Sequence, residues 1–225
     1  MSSWEDKVAN PDGMGEFEKN LWNEIEPLLN SVLDELKAGG KIETVYTQSE
    51  MDTLGRVLKK VDDFALAHNT LIDLFDTPDP KPFLDATSKF KFTESRVIYM
   101  YVAAAVTLEV LYTEQFKILL LFHMKDVDFA VSRFSRTMKT AAPNSWPKLK
   151  QYVRSDFRNS LSHGTYAITG RQIVSFNDAK LLPSTDPEAQ MSIGKLMLRI
   201  KAQNVLYQCL IHVLAQKKAS GFFIT

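Results

Sequence analysis

The sequence predicts an all-α helical bundle carrying one small β-hairpin insertion. Three observations lead there. Apolar residues recur at three- and four-residue spacing through most of the chain, the signature of helices with one buried face. The stretch from Thr93 to His123 is apolar on nearly every side, as a helix at the centre of a bundle must be. A hairpin pattern, two short apolar runs about a glycine-containing turn, falls at residues 166–176.

At 225 residues, 45% hydrophobic and 24% charged, the chain is sized for one domain with a sizeable core. The expected division is a loose arm over residues 1–15, which contains Asn10-Pro11-Asp12-Gly13, and a single helical domain over 16–225. Glu16–Lys37 carries Leu21, Ile25, Leu28, Leu29, Val32 and Leu36 on one stripe, with Pro27 on the polar face predicting a kink or break. Ala38-Gly39-Gly40 ends it. Lys41–Gln48 reads as a short extended piece. Ser49 is placed to cap a helix that runs to about Phe75 on Leu54, Val57, Leu58, Val61 and Phe64. His68 lies on that stripe and reads as a packed core histidine. Three prolines in Asp76–Pro82 make a rigid linker.

The central helix follows, to about His123. Its Glu109 falls in an apolar setting, where a carboxylate needs a partner or takes up a proton. Arg158 or His163 is one candidate partner; a lysine or arginine of a packing helix is another. His123 is expected to serve the carbonyls at the helix end. Asp126–Ala142 is a shorter helix, stopped by Pro143 and Pro147. Pro147 opens the next one, whose stripe is Leu149, Tyr152, Val153, Phe157 and Leu161 and whose end is marked by Gly164. The hairpin comes next, then a loop over 181–187. A last helix spans Glu188–Lys218, with its apolar phase shifting near Asn204.

One cysteine, Cys209, excludes an internal disulfide framework and fits a reducing compartment. The first residues lack the basic-then-apolar pattern of a secretory leader, and Val97–Tyr112 is short for a bilayer span. A soluble, cytoplasmic protein without membrane contact is expected. Net charge is zero, but its distribution is uneven: residues 1–36 hold nine acids and two bases, residues 129–165 seven bases and one acid. The second stretch would concentrate a polyanion despite the neutral total.

Within it, Arg158-Asn159-Ser160-Leu161-Ser162-His163 is followed by Gly164-Thr165-Tyr166. This resembles the signature of the HEPN superfamily (higher eukaryotes and prokaryotes nucleotide-binding domains): Arg, then Asn or Asp, three variable residues, then His. The resemblance covers about 20 residues. It implies an all-α bundle and, as in many members, a metal-independent endoribonuclease that works as a homodimer, with a toxin or antiviral defence role and an antitoxin or regulatory partner. Some members place a tyrosine two residues after the histidine, whereas Tyr166 lies three after His163.

The chemistry suits those residue types. If the 2′-hydroxyl of RNA attacks its own adjacent phosphorus, the step needs a base, a cation for the phosphoryl oxygens and an acid for the leaving oxygen. His163 fits acid or base work near neutrality. Arg158 offers a permanently charged fork for two phosphate oxygens. Asn159, Tyr166 and Glu109 are candidate supporting groups, and Lys150 and Arg154, four apart, continue a basic stripe for the RNA backbone. On a regular helix Arg158 and His163 stand roughly 140° and ~7.5 Å apart. Convergence therefore needs unwinding before Gly164 or a second subunit, and one histidine cannot be both acid and base in a single step. A symmetric dimer answers both points. No glycine-rich phosphate loop is present, and His68, His123 and His212 lack metal-ligand spacing, so no metal or cofactor is expected. The alternatives are a non-catalytic HEPN-like module binding RNA, nucleotide or protein, and a structural protein whose helix end merely carries charge.

Overall fold

A computed structural model describes residues 11–42, 94–124, 133–153, 166–169, 172–175 and 190–222, together with 47, 49, 52–56, 59, 63 and 66. These residues are predominantly helical, in keeping with the all-α class. A single 3-10 turn, Pro11–Gly13, precedes α1 (Glu16–Ala38); α2 is Glu94–His123, α3 Phe134–Ala141, α4 Trp146–Lys150 and α5 Ile193–Ala219. Residues 49, 52–56, 59, 63 and 66 are helical as well. His68 and the linker at 76–82 lie outside the described residues.

The chain groups into two compact units, each built from separated segments. The first comprises Met1–Val61, Tyr112–Arg154 and Lys201–Thr225; the second comprises Asp62–Leu111 and Ser155–Ile200.

In the first unit α1 buries Trp22, Ile25, Leu29, Val32, Leu33 and Leu36, a stripe at helical spacing. Each such aliphatic side chain, taken fully out of water, contributes about 1.5–3 kcal/mol. Pro27 does not break the helix. It sits on the exposed side, where water replaces the donor its ring removes. The helix stops at Gly39-Gly40: Gly40 adopts φ +63°, Lys41 N donates to Leu36 O (2.8 Å) and Gly40 N to Lys37 O (2.9 Å). That pairing satisfies the last carbonyls and needs the left-handed conformation glycine tolerates. α5 ends in the same way at Gly221, φ +73°. Phe222 follows, with Lys37 Nζ and Lys217 Nζ 4.4 and 4.5 Å from its ring centroid. Lys217 also pairs with Asp34 at 2.5 Å.

Residues 112–123 of α2 are buried on most sides: Tyr112, Thr113, Gln115, Phe116, Leu119, Leu120 and Leu121 all lie inside. α3 turns Phe134 and Met138 inward and α4 turns Trp146 and Leu149 inward. Their aromatic rings form an edge-to-face run, Phe116 to Phe134 (6.1 Å) and Phe134 to Trp146 (5.3 Å).

In the second unit, β1 (Tyr166–Thr169), β2 (Gln172–Ser175) and β3 (Gln190–Ser192) form an antiparallel sheet in that order. β3 corrects the expected start of the last helix. Residues 190–192 carry a helix-compatible pattern but pair with β2, Ile173 opposite Met191, so α5 begins at Ile193 rather than at Glu188. Long-range pairing overrides local preference there.

Candidate functional site

Arg154, Arg158, Asn159 and His163 lie outside the described residues. What the structure describes is the approach to them and the other side chains named from sequence. α4 starts as expected, with Pro147 in its first turn and Lys148 and Lys150 exposed. It is shorter than the apolar stripe suggests. Beyond Lys150 the backbone tightens into i to i−3 turns, Tyr152 N to Leu149 O and Val153 N to Lys150 O, both 3.0 Å.

Two devices hold this segment. The first is Glu35 near the C-terminal end of α1, whose carboxylate accepts from the Asn144 backbone N–H (3.0 Å), Asn144 Nδ2 (2.8 Å), the Ser145 backbone N–H (2.9 Å) and the Ser145 hydroxyl. The Ser145 hydroxyl above all, and then the backbone and Asn144 donors against a partial desolvation, hold the Glu35 carboxyl below the usual range. The second is a chain of hydrogen bonds through the core. Thr113 Oγ1 donates to Gln203 Oε1 (3.0 Å), Gln203 Nε2 donates to the Tyr152 carbonyl (2.8 Å), and the Tyr152 hydroxyl donates to Glu24 (2.9 Å). Thr113 and Gln203 are buried, so this continuity matters: a buried amide left unmatched costs about 1–3 kcal/mol. Neither Glu35 nor Gln203 is visible in local sequence, because their partners lie 109 and 51 residues away.

Glu109 is buried at 3% exposure, and its partner is Arg199. Arg199 directs Nε (2.9 Å) and Nη2 (2.6 Å) at Oε1. Of the two pairings open from sequence, the described one is thus with an arginine of a packing helix, a residue that sequence reading did not single out. The pair is a charge-assisted contact whose rupture would strand a buried ion. Lys150 is exposed, and Tyr166 opens β1 opposite Ser175.

No family model, curated protein or solved structure matches this chain. The functional reading therefore rests on the residues themselves.

Among those residues, His123 is the last of α2, as expected, and is buried. Burial, with a smaller contribution from Lys218, pushes its pKa down to about 3, so the ring is neutral and gains nothing from the helix dipole. His212 lies with Nε2 2.8 Å from Gln216 Nε2 and its ring edge-on to Trp22 at 5.2 Å. Burial raises the Cys209 thiol well above its ordinary value, so it is an inert core residue. Among the described residues no group of three or more His, Cys, Asp or Glu is placed to hold a metal ion, and no helix is long and apolar enough to cross a membrane.

Proposed function

We propose that the protein is a metal-independent endoribonuclease of HEPN type, acting as a symmetric dimer. The observation that carries this reading is the run Arg158-Asn159 through His163 closed by Gly164. In the proposed step the ribose 2′-oxygen bonds to the adjacent phosphorus while the phosphorus–O5′ bond breaks. His163 of one subunit takes the 2′-proton, Arg158 neutralises the phosphoryl oxygens, and the second subunit's motif supplies the proton for the leaving oxygen. The products are a 2′,3′-cyclic phosphate and a 5′-hydroxyl. Asn159 orients the pair, and Arg154 and Lys150 draw in the RNA backbone. A hairpin insertion after the motif helix, a toxin or antiviral defence role and restraint by an antitoxin or regulatory protein belong to the same reading. Support comes from the residue types, from their setting before a glycine, and from the exposed lysines of α4 that precede them in the chain.

The test is incubation of purified protein with mixed RNA in EDTA, followed by end-group analysis. Cyclic phosphate and 5′-hydroxyl ends are expected, and Arg158→Ala or His163→Ala each abolish them with the fold intact by circular dichroism. Cleavage that survives both substitutions removes the reading.

A further inference from the structure

From Arg133 to Val153 the chain carries Arg133, Arg136, Lys139, Lys148 and Lys150 and not one acid. All five side chains are exposed. Among the described residues none of the five side chains makes a hydrogen bond or ion pair, whereas four other lysines of the same unit are engaged. Lys117 meets Glu114, Lys201 meets Glu18, Lys217 meets Asp34, and Lys37 donates to the Phe222 carbonyl. Arg133, Arg136 and Lys139 recur every third residue, a rise of about 4.5 Å between successive cations along the helix. Two acids approach this corner among the described residues, and each meets a neutral donor: Glu35 directs its carboxylate at Asn144 and Ser145, and Glu24 accepts from the Tyr152 hydroxyl.

The five cations also stand on a fixed base. Phe134, Met138, Trp146 and Leu149 are buried beneath them, Phe134 and Trp146 meet edge to face, and the Glu35 carboxylate ties the turn between the helices. The backbone that carries these charges is already ordered, so an arriving counter-charge has only the side chains to immobilise. The like-charge repulsion among them is screened by small ions in salt and is relieved most fully, at low salt, by a polyanion.

We propose that the solvent side of α3 and α4 is a docking surface for the phosphodiester backbone of a nucleic acid. The assignment deepens the ribonuclease reading and rests on it for the choice of nucleic acid over other polyanions. The site itself is separate from the motif, and each cation acts on a phosphate without reading sequence.

A labelled oligothymidylate DNA is the probe, because it has phosphates but no 2′-hydroxyl and so is bound without being cut. The full chain is expected to bind it at low salt, with log affinity falling linearly against log salt. Replacing Arg133, Arg136 and Lys139 together by Gln should weaken binding on the order of ten-fold or more and flatten that salt slope by about 2, with melting unchanged. Absence of binding at low salt overturns the proposal, as does a triple variant with unchanged affinity and slope. Capture by phosphatidylserine vesicles in preference to the oligonucleotide overturns it too. If the triple variant binds normally while Arg158- and His163-dependent RNA cleavage is present, the surface falls and the ribonuclease reading stands. If the triple variant loses binding but no RNA is cut, the surface stands and the ribonuclease reading falls.

Discussion

His123 makes acid a specific destabiliser of this fold. Its ring is 3% exposed and its pKa is depressed from 6.5 to about 3. The unfolded chain therefore binds a proton that the native state refuses across that whole interval. Stability from this group is complete above about pH 6.5, falls as pH drops below it, and levels off near 3, where the native ring finally protonates. One proton of difference gives a slope of at most about 1.4 kcal/mol per pH unit. Between about pH 7 and about pH 5 the loss integrates to about 2 kcal/mol, a substantial part of a total of about 5–15 kcal/mol. Urea unfolding at a series of pH values reads it directly, in the unmodified chain and in His123→Phe. Whatever the variant does to absolute stability, its slope between those pH values should be shallower by close to one proton. Comparing slopes removes the other three histidines of the chain, which are common to both proteins. Parallel slopes would refute the claim that His123 is buried neutral.

Three further outcomes test the contacts around the motif segment and the second unit. Arg199→Met should cost about 3–5 kcal/mol by removing the guanidinium that faces the buried Glu109 carboxylate, and pairing it with Glu109→Leu should recover most of that in a double-mutant cycle. Glu35→Gln should lower the melting temperature at neutral pH; because the native carboxyl titrates below its ordinary value of 4.5, the gap to the unmodified chain should close as pH falls below that value. Gln203→Leu should cost about 1–3 kcal/mol by removing the amide that donates to the Tyr152 carbonyl, and hydrogen exchange should rise first at residues 151–153.

The regular elements were legible where local chemistry decides them. α1 follows its stripe and stops at Gly39-Gly40, and α2 spans Glu94–His123 as its unbroken run of apolar residues implies. Where distant chain intervenes, the reading strays. Residues 190–192 join a sheet because β2 is there to receive them, and α4 tightens at Tyr152 beside a glutamine fifty-one residues on. The motif is visible as a string of residue types, and its surroundings are not. Arg199 looks like any helix-surface arginine until Glu109 is found against it, and Glu35 looks like one more acid of α1. Charge was informative in a different way: the excess of bases in residues 129–165 is plain in sequence, but the lack of ion pairs at Arg133, Arg136 and Lys139 among the described residues is seen only in the structure.

The unit holding α1 and α3 draws its third part from residues beyond 200, and the Phe222 turn sits between Lys37 and Lys217. During synthesis α1 must therefore wait for the partners of Trp22, Asp34 and Lys37 until the ribosome has delivered α5 and the turn after it. A nascent chain halted before that point should be a client for chaperones, and excising the inserted residues 62–111 and 155–200 would require new covalent joins rather than a simple cut.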